Sequence, residues 1–184
     1  MRVGSLILAA LLAVAPGGIV TPETLVDFAA GVDAWRAVDD VVMGGVSRSG
    51  LRATEAGTAV FEGELSLENN GGFASVRTLV PPTDLSGRKG LTVRVRGDGR
   101  RYRLRLRTDD RYDGIAYQAE FGTEAGEWEE ITLPFAEFAP SFRGRRPPGA
   151  EPLDPSRIRQ VGLMIADKQA GPFALELAWI RPAP

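Results

Sequence analysis

From Val26 onward the chain is written in short runs that alternate apolar and polar residues with period two, separated by clusters of Gly, Asp, Asn and Pro. Alternation of this kind places every second side chain on one face of a strand, and no long stripe at helical spacing interrupts it. The pattern predicts an all-β chain of antiparallel strands that bury one face each in a two-sheet sandwich or barrel. The predicted strands are Ala59 to Leu65, Phe73 to Leu79, Leu91 to Arg96, Arg101 to Arg107, Ile115 to Phe121, Trp128 to Leu133, Val161 to Ile165 and Phe173 to Ile180. Gly97, Asp98, Gly99 and Arg100 read as a hairpin turn between two of them. The stretch from Pro134 to Arg157 is rich in Pro and Arg and reads as one long surface loop with a helical turn at Phe135 to Phe138, because proline has no N–H for a central ladder.

A chain of 184 residues that is 43% apolar and 25% charged can bury a core as one domain, expected over 24–182. It contains neither histidine nor cysteine. That excludes Ser-His-Asp and Cys-His nucleophile systems, thiolate chemistry and zinc sites of the usual nitrogen and sulfur ligands. A net charge of -2 gives no overall basic field for nonspecific nucleic-acid binding. Arg2, the apolar run from Leu6 to Val14 and the small triplet Ala13, Val14, Ala15 read as a secretory signal over 1–18. Pro16 is a poor neighbour for signal peptidase, so cleavage is placed near Gly18 or the segment stays as an anchor. The run is too short to span a bilayer, and the mature chain is expected to be periplasmic or extracellular, with no transmembrane span.

Two segments carry the candidate binding residues. In the first, Asp39, Asp40, Met43, Gly44, Gly45 and Ser47 form a loop without strand period. Its glycines permit close backbone approach, and its aspartates either cap nearby amides or face a ligand. In the second, Asn70, Gly71 and Gly72 turn directly into a strand in which Arg77 shares a face with Phe73 and Ser75. On a core face Arg77 needs a carboxylate, for which Asp39 and Asp40 are the candidates. Arg143 and Arg145 in the long loop complete the candidate set.

Three further features bear on function. Arg94, Arg96, Arg101, Arg103, Arg105 and Arg107 are expected on one sheet face, where they either grip an anionic partner or pair with Glu62, Glu64, Glu120 and Glu176. The turn from Thr108 to Gly114 offers Asp109 and Asp113 to calcium but lacks the closing glutamate of a calcium loop, so turn formation is the preferred reading. A glycosidase needs two carboxylates at a set separation, which sequence does not supply.

The string Asp39, Asp40, Val42, Met43, Gly44, Gly45, Ser47, followed by Phe61, Gly63 and then Asn70, Gly71, Gly72, Phe73, Ala74, Ser75, Arg77, resembles the complex I intermediate-associated protein 30 family. The likeness continues through Asp84 to Gly87, Gly97 to Arg100 with Tyr102, and Trp128, Leu133, Pro134, Phe135 and Phe138. It closes with Arg143, Gly144, Ile158, Gly162, Asp167, Lys168, Gly171, Pro172 and Phe173, so it covers nearly the whole mature chain. The resemblance implies a galactose-binding-domain-like jelly roll, an assembly-factor role around respiratory complex I, and no catalytic residue, metal or cofactor. An export signal would put the chain on the wrong side of a membrane for a matrix-facing role. The function expected from the sequence is a non-catalytic protein-binding module. The alternative is a carbohydrate-binding module, with Tyr112 and Tyr117 expected exposed and the burial of Trp35, Trp128 and Trp179 as the discriminating feature.

Overall fold

The computed structural model describes residues 23–184, so the expected signal segment 1–18 lies outside the described residues. Strands follow one another as β1 (Val26–Asp27), β2 (Arg36–Ala37), β3 (Arg48–Ala53), β4 (Ala59–Leu65), β5 (Ala74–Thr83) and β6 (Gly90–Arg96). They continue as β7 (Arg101–Arg107), β8 (Ala116–Gly122), β9 (Trp128–Pro134), β10 (Ala139–Ser141), β11 (Ile158–Ile165) and β12 (Gly171–Ala183). The first sheet has the order β3-β4-β12-β6-β9, with β1 paired to β12; the second has the order β10-β8-β7-β11-β5-β2. The paired strands run antiparallel, so the fold is the all-β, galactose-binding-domain-like jelly-roll sandwich that the alternation predicts.

The core lies between the sheets. Leu91, Val93 and Val95 of β6 face Leu104 and Leu106 of β7 and Val161, Leu163 and Ile165 of β11, all fully buried. Phe61, Tyr102, Phe121 and Phe173 fill the space beside them, with Phe61 and Phe173 centroids 5.0 Å apart and Tyr102 and Phe121 centroids 6.2 Å apart. Tyr102 keeps its hydroxyl satisfied by donating to the Asp98 carboxylate at 2.9 Å. Burial, reinforced by that carboxylate, pushes the hydroxyl's pKa well above its ordinary value. Asp98 also accepts from the backbone of Ala174 at 3.1 Å, which ties the β6–β7 connection to β12.

Five details differ from the sequence reading. The strands β6 and β7 do not form a hairpin: β6 pairs with β9 and β12, and β7 pairs with β8 and β11, so Gly97 to Arg100 crosses from one sheet to the other. Alternation reports that one face of a strand is buried and is silent about which neighbour it pairs with. The expected six-arginine face therefore divides. Arg94 and Arg96 lie on the outside of the first sheet with Glu130 and Glu176, while Arg101, Arg103, Arg105 and Arg107 lie on the outside of the second.

The long loop also contains the edge strand β10, with a 3-10 turn at Phe135–Glu137 before it. Pro140 is tolerated there because an edge strand needs no donor on its open side. In β12 a register shift between Leu177 and Trp179 turns Ile180 inward and leaves Trp179 half-buried, so the simple alternation through Trp179 fails. Tyr117, expected exposed, faces the core and is buried.

Replacing Tyr102 by Phe removes a hydrogen bond to a charged acceptor and should lower the unfolding free energy in urea by about 1–2 kcal/mol with an unchanged m-value.

Candidate functional site

The two aspartates of the first segment point inward and act as acceptors. Asp40 is fully buried, and its carboxylate receives the amide of Ser47 at 2.9 Å, the hydroxyl of Ser47 at 2.6 Å, the amide of Gly72 at 2.7 Å and that of Phe73 at 3.4 Å. Asp39 receives the amide of Ser49 at 2.8 Å, its hydroxyl at 2.6 Å and the amide of Ser75 at 2.9 Å. Gly45 and Gly71 are required at their positions by close approach, since a Cβ on either would collide with the Asp40 carboxylate. Asp39, Asp40, Gly45, Ser47 and Gly71 thus form one packed joint between the two segments, which is why both carry glycines. Burial alone raises the Asp40 pKa, but the hydrogen bonds from Ser47, Gly72 and Phe73 outweigh it and hold the carboxyl below its ordinary value.

The joint fixes a short 3-10 turn, Asp40–Met43, that ends at Gly44. Its side chains Val41, Val42 and Met43 are 60%, 62% and 59% exposed, although they stand on a buried anchor. Val42 and Met43, together with Asn70, Gly71 and Gly72, form one wall of a cavity of about 580 Å³ on the outside of the second sheet.

Three strands supply the floor in register. Gly162 of β11 lies between Arg77 of β5 and Arg105 of β7, and Met164 lies between Ser75 and Arg103. Gln160 pairs with Arg107 in the next row, and its side-chain amide donates to the carbonyls of Asp109 and Arg111 at 2.8 and 3.0 Å, which seats the turn that carries Tyr112. A Cβ at position 162 would come within 2.9 Å of the Val76 carbonyl oxygen and 3.2 Å of the Arg77 Cβ, so the close approach of β5 requires glycine there. Arg143 closes the far wall by donating to Asp113 at 2.7 Å.

Of the residues singled out from sequence, Met43, Asn70, Gly71, Gly72, Arg77 and Arg143 line this cavity. Asp39, Asp40, Gly44, Gly45 and Ser47 stand behind its wall, and Arg145 lies beyond the lining at the end of a tight turn with Phe142. Arg77 does not meet Asp39 or Asp40. It lies on the outer face, and its guanidinium rests 4.5 Å from the centre of the Tyr112 ring. Of the floor residues, Arg103, Arg105 and Arg107 were read from sequence only as part of a six-arginine face, and Gln118, Gln160 and Gly162 were not assigned to a site. The usable signal was the run of arginines at alternate positions of β7, which sequence alone could not separate from those of β6.

The carboxylates considered for calcium or hydrolysis have other partners. Asp109 pairs with Arg111, Asp110 with Arg159 and Asp113 with Arg143, each at 2.7 Å, and the hydrogen bonds from Arg159 and Arg143 hold Asp110 and Asp113 below their ordinary pKa values. Among the described residues no group of three acidic, His or Cys side chains is placed to hold a metal ion. Of the tryptophans, Trp35 is buried against Phe28. Trp128 and Trp179 lie half-buried on the outside of the first sheet, away from the cavity, with Arg94 and Arg96 each 5.3 Å from the Trp128 ring and Arg181 4.2 Å from that of Trp179.

The fold is a jelly-roll sandwich. It is similar to a family 11 carbohydrate-binding module from Clostridium thermocellum, solved in complex with a β-1,3-1,4-mixed-linked tetrasaccharide, with a TM-score of 0.63 and 18% identity over 87% of this chain and 97% of that one. The chain belongs to the complex I intermediate-associated protein 30 (CIA30) family, whose model matches residues 26–177. It is 29% identical over 81% of its length to the mitochondrial complex I intermediate-associated protein 30 of Mus musculus, and 29% identical over 81% to that of Drosophila melanogaster. An uncharacterised protein of Schizosaccharomyces pombe is 32% identical over 82% of the chain and 78% of its own length. The match spans about half the length of the mouse and Drosophila relatives, 52% and 58%. These relatives overturn the expected periplasmic or extracellular location, because the mouse and Drosophila proteins are named as mitochondrial. An apolar run beside one basic residue does not identify a compartment by itself.

Replacing Asp40 by Ala leaves several buried donors without an acceptor and should destabilise the fold by at least about 3 kcal/mol in urea denaturation. Because the folded-state pKa of Asp40 is lowered, its contribution is complete above the ordinary value of 3.8 and disappears as pH falls through the folded value. Asp40→Asn should therefore be less stable than the wild type at pH 7, with the gap narrowing on acidification below about pH 4.

Proposed function

We propose that the chain is a non-catalytic protein-binding module of assembly-factor type, whose partner is an assembly intermediate of respiratory complex I. The observation that carries this reading is the turn Val41, Val42, Met43. Three consecutive apolar side chains are each about 60% exposed on a backbone held by a buried carboxylate. An exposed apolar patch on a rigid support suits a docking contact, because little conformational freedom remains to be lost on binding. Membership of the CIA30 family and the names of the mouse and Drosophila relatives supply the class of partner.

The absence of His and Cys, and the pairing of Asp109, Asp110 and Asp113 with arginines, support a role in binding rather than catalysis. Binding of neutral sugars is the weaker reading, because Tyr112, the exposed aromatic side chain at the cavity, already carries the Arg77 guanidinium on its ring.

The test is affinity purification of the tagged chain followed by quantification of complex I subunits. Val42→Asp combined with Met43→Glu, both at exposed positions, should reduce recovery of those subunits at least about tenfold while leaving the circular dichroism and Tm unchanged. Undiminished recovery would refute the turn as the docking contact. Retention of the chain on mixed-linkage β-glucan with no recovery of complex I subunits would assign the carbohydrate function instead.

A further inference from the structure

The cavity floor presents more positive charge than its own walls neutralise. Five arginines line it, Arg77, Arg103, Arg105, Arg107 and Arg143, against two carboxylates, Asp113 and Asp167. Both carboxylates are already committed, Asp167 to Arg103 at 2.5 Å and Asp113 to Arg143 at 2.7 Å. Among the described residues, Arg77, Arg105 and Arg107 form no ion pair. Arg105 is the extreme case: its side chain is half-buried, and its Nε is enclosed without a hydrogen-bond partner.

Burial and the neighbouring cations Arg107, Arg77 and Arg103 push the pKa of Arg105 down to about 10. Arg107 is also lowered, first by burial and then by Arg77, against a partial offset from Asp109 and Asp113. Sheets usually relieve such crowding with carboxylates on adjacent strands, as Glu130 and Glu176 do for Arg94 and Arg96 on the opposite sheet. Opposite Arg103 stands Glu120, but the cross-strand neighbours of Arg105 and Arg107 are Gly162, Gln118 and Gln160, which carry no negative charge.

We propose that this cavity binds a small organic anion bearing at least two carboxylate or phosphate groups, with Arg105 holding one group and Arg107 and Arg77 the other. Guanidinium forks match the paired oxygens of such groups. Residues two apart on one strand stand about 6–7 Å apart, so Arg105 and Arg107 favour a ligand whose charges are separated over several bonds. The volume of about 580 Å³ suits a molecule of that size. This site is independent of the protein-binding reading, since it uses the floor of the cavity, whereas the proposed docking contact uses the exposed turn at its rim.

The experiment is isothermal titration and thermal melting of the full chain with citrate and with inorganic pyrophosphate, using the neutral mixed-linkage tetrasaccharide and a tetraglutamate peptide as comparisons. Saturable one-to-one binding of citrate or pyrophosphate is expected, with a raised Tm and an affinity that falls as salt is raised from about 20 to about 200 mM. Arg105→Met should weaken binding at least tenfold and raise the Tm of the ligand-free protein, because it removes an unpaired, half-buried charge. Arg107→Gln should weaken binding with little change in ligand-free Tm. The proposal is overturned if neither anion binds, if binding is unchanged in both variants, or if only the peptide or the neutral tetrasaccharide binds.

Discussion

The carboxylates of Asp39 and Asp40 join parts of the chain that no ladder connects. Asp39 takes amides from Ser49 in β3 of the first sheet and from Ser75 in β5 of the second, so one side chain spans the two layers. Asp40 takes donors from the segment entering β3 and from the turn entering β5. Without these acceptors, buried N–H groups at the starts of two strands would have no partner, and each such loss costs about 1–3 kcal/mol. The exposed turn Val41 to Met43 and the Asn70 to Gly72 wall of the cavity hold their shape because this joint holds it for them.

Beyond the joint, the two sheets use their outer faces differently. On the first, charges are matched across strands: Arg52 with Glu62, Arg94 with Glu130, Arg96 with Glu176. These are solvated pairs of small individual weight. On the second, β11 is flanked on both sides by arginine-bearing strands and answers them with Gln160, Gly162 and Met164. A surface meant only for solvent has no reason to crowd Arg77, Arg105 and Arg107 around a recess that lacks free carboxylates. The apolar rim and the cationic floor are therefore separate features that share a wall.

Much of the fold was legible because it depends on local alternation. The strands Ala59–Leu65 and Arg101–Arg107 were located from their period alone, and the strands at residues 74–83, 90–96, 116–122, 128–134, 158–165 and 171–183 to within a few residues at their ends. Pairing was not legible, since Gly97 to Arg100 has the chemistry of a hairpin and serves as a crossover between sheets. The strand Arg48–Ala53 was missed because Gly50 and its half-exposed neighbours weaken the alternation, and Ala139–Ser141 because Pro140 argued against a ladder. At the site, the two glycine-bearing segments were recognised from composition. Their meeting around Asp40 could not be read from positions some thirty residues apart. Arg77 was given the right parity with Phe73 and Ser75, but period two does not say which face is inward, and the side chain lies on the outer one against Tyr112.

Amide hydrogen exchange tests the central claim, that Asp39 and Asp40 lock the rim of the cavity. The amides of Ser47, Ser49, Gly72 and Ser75 each donate to one of these carboxylates. They should exchange about as slowly as the amides of the core strands, and in Asp40→Asn those of Ser47 and Gly72 should lose protection while β7 and β11 keep theirs. Exchange of all four in the wild type at the rate of an exposed loop would contradict the account.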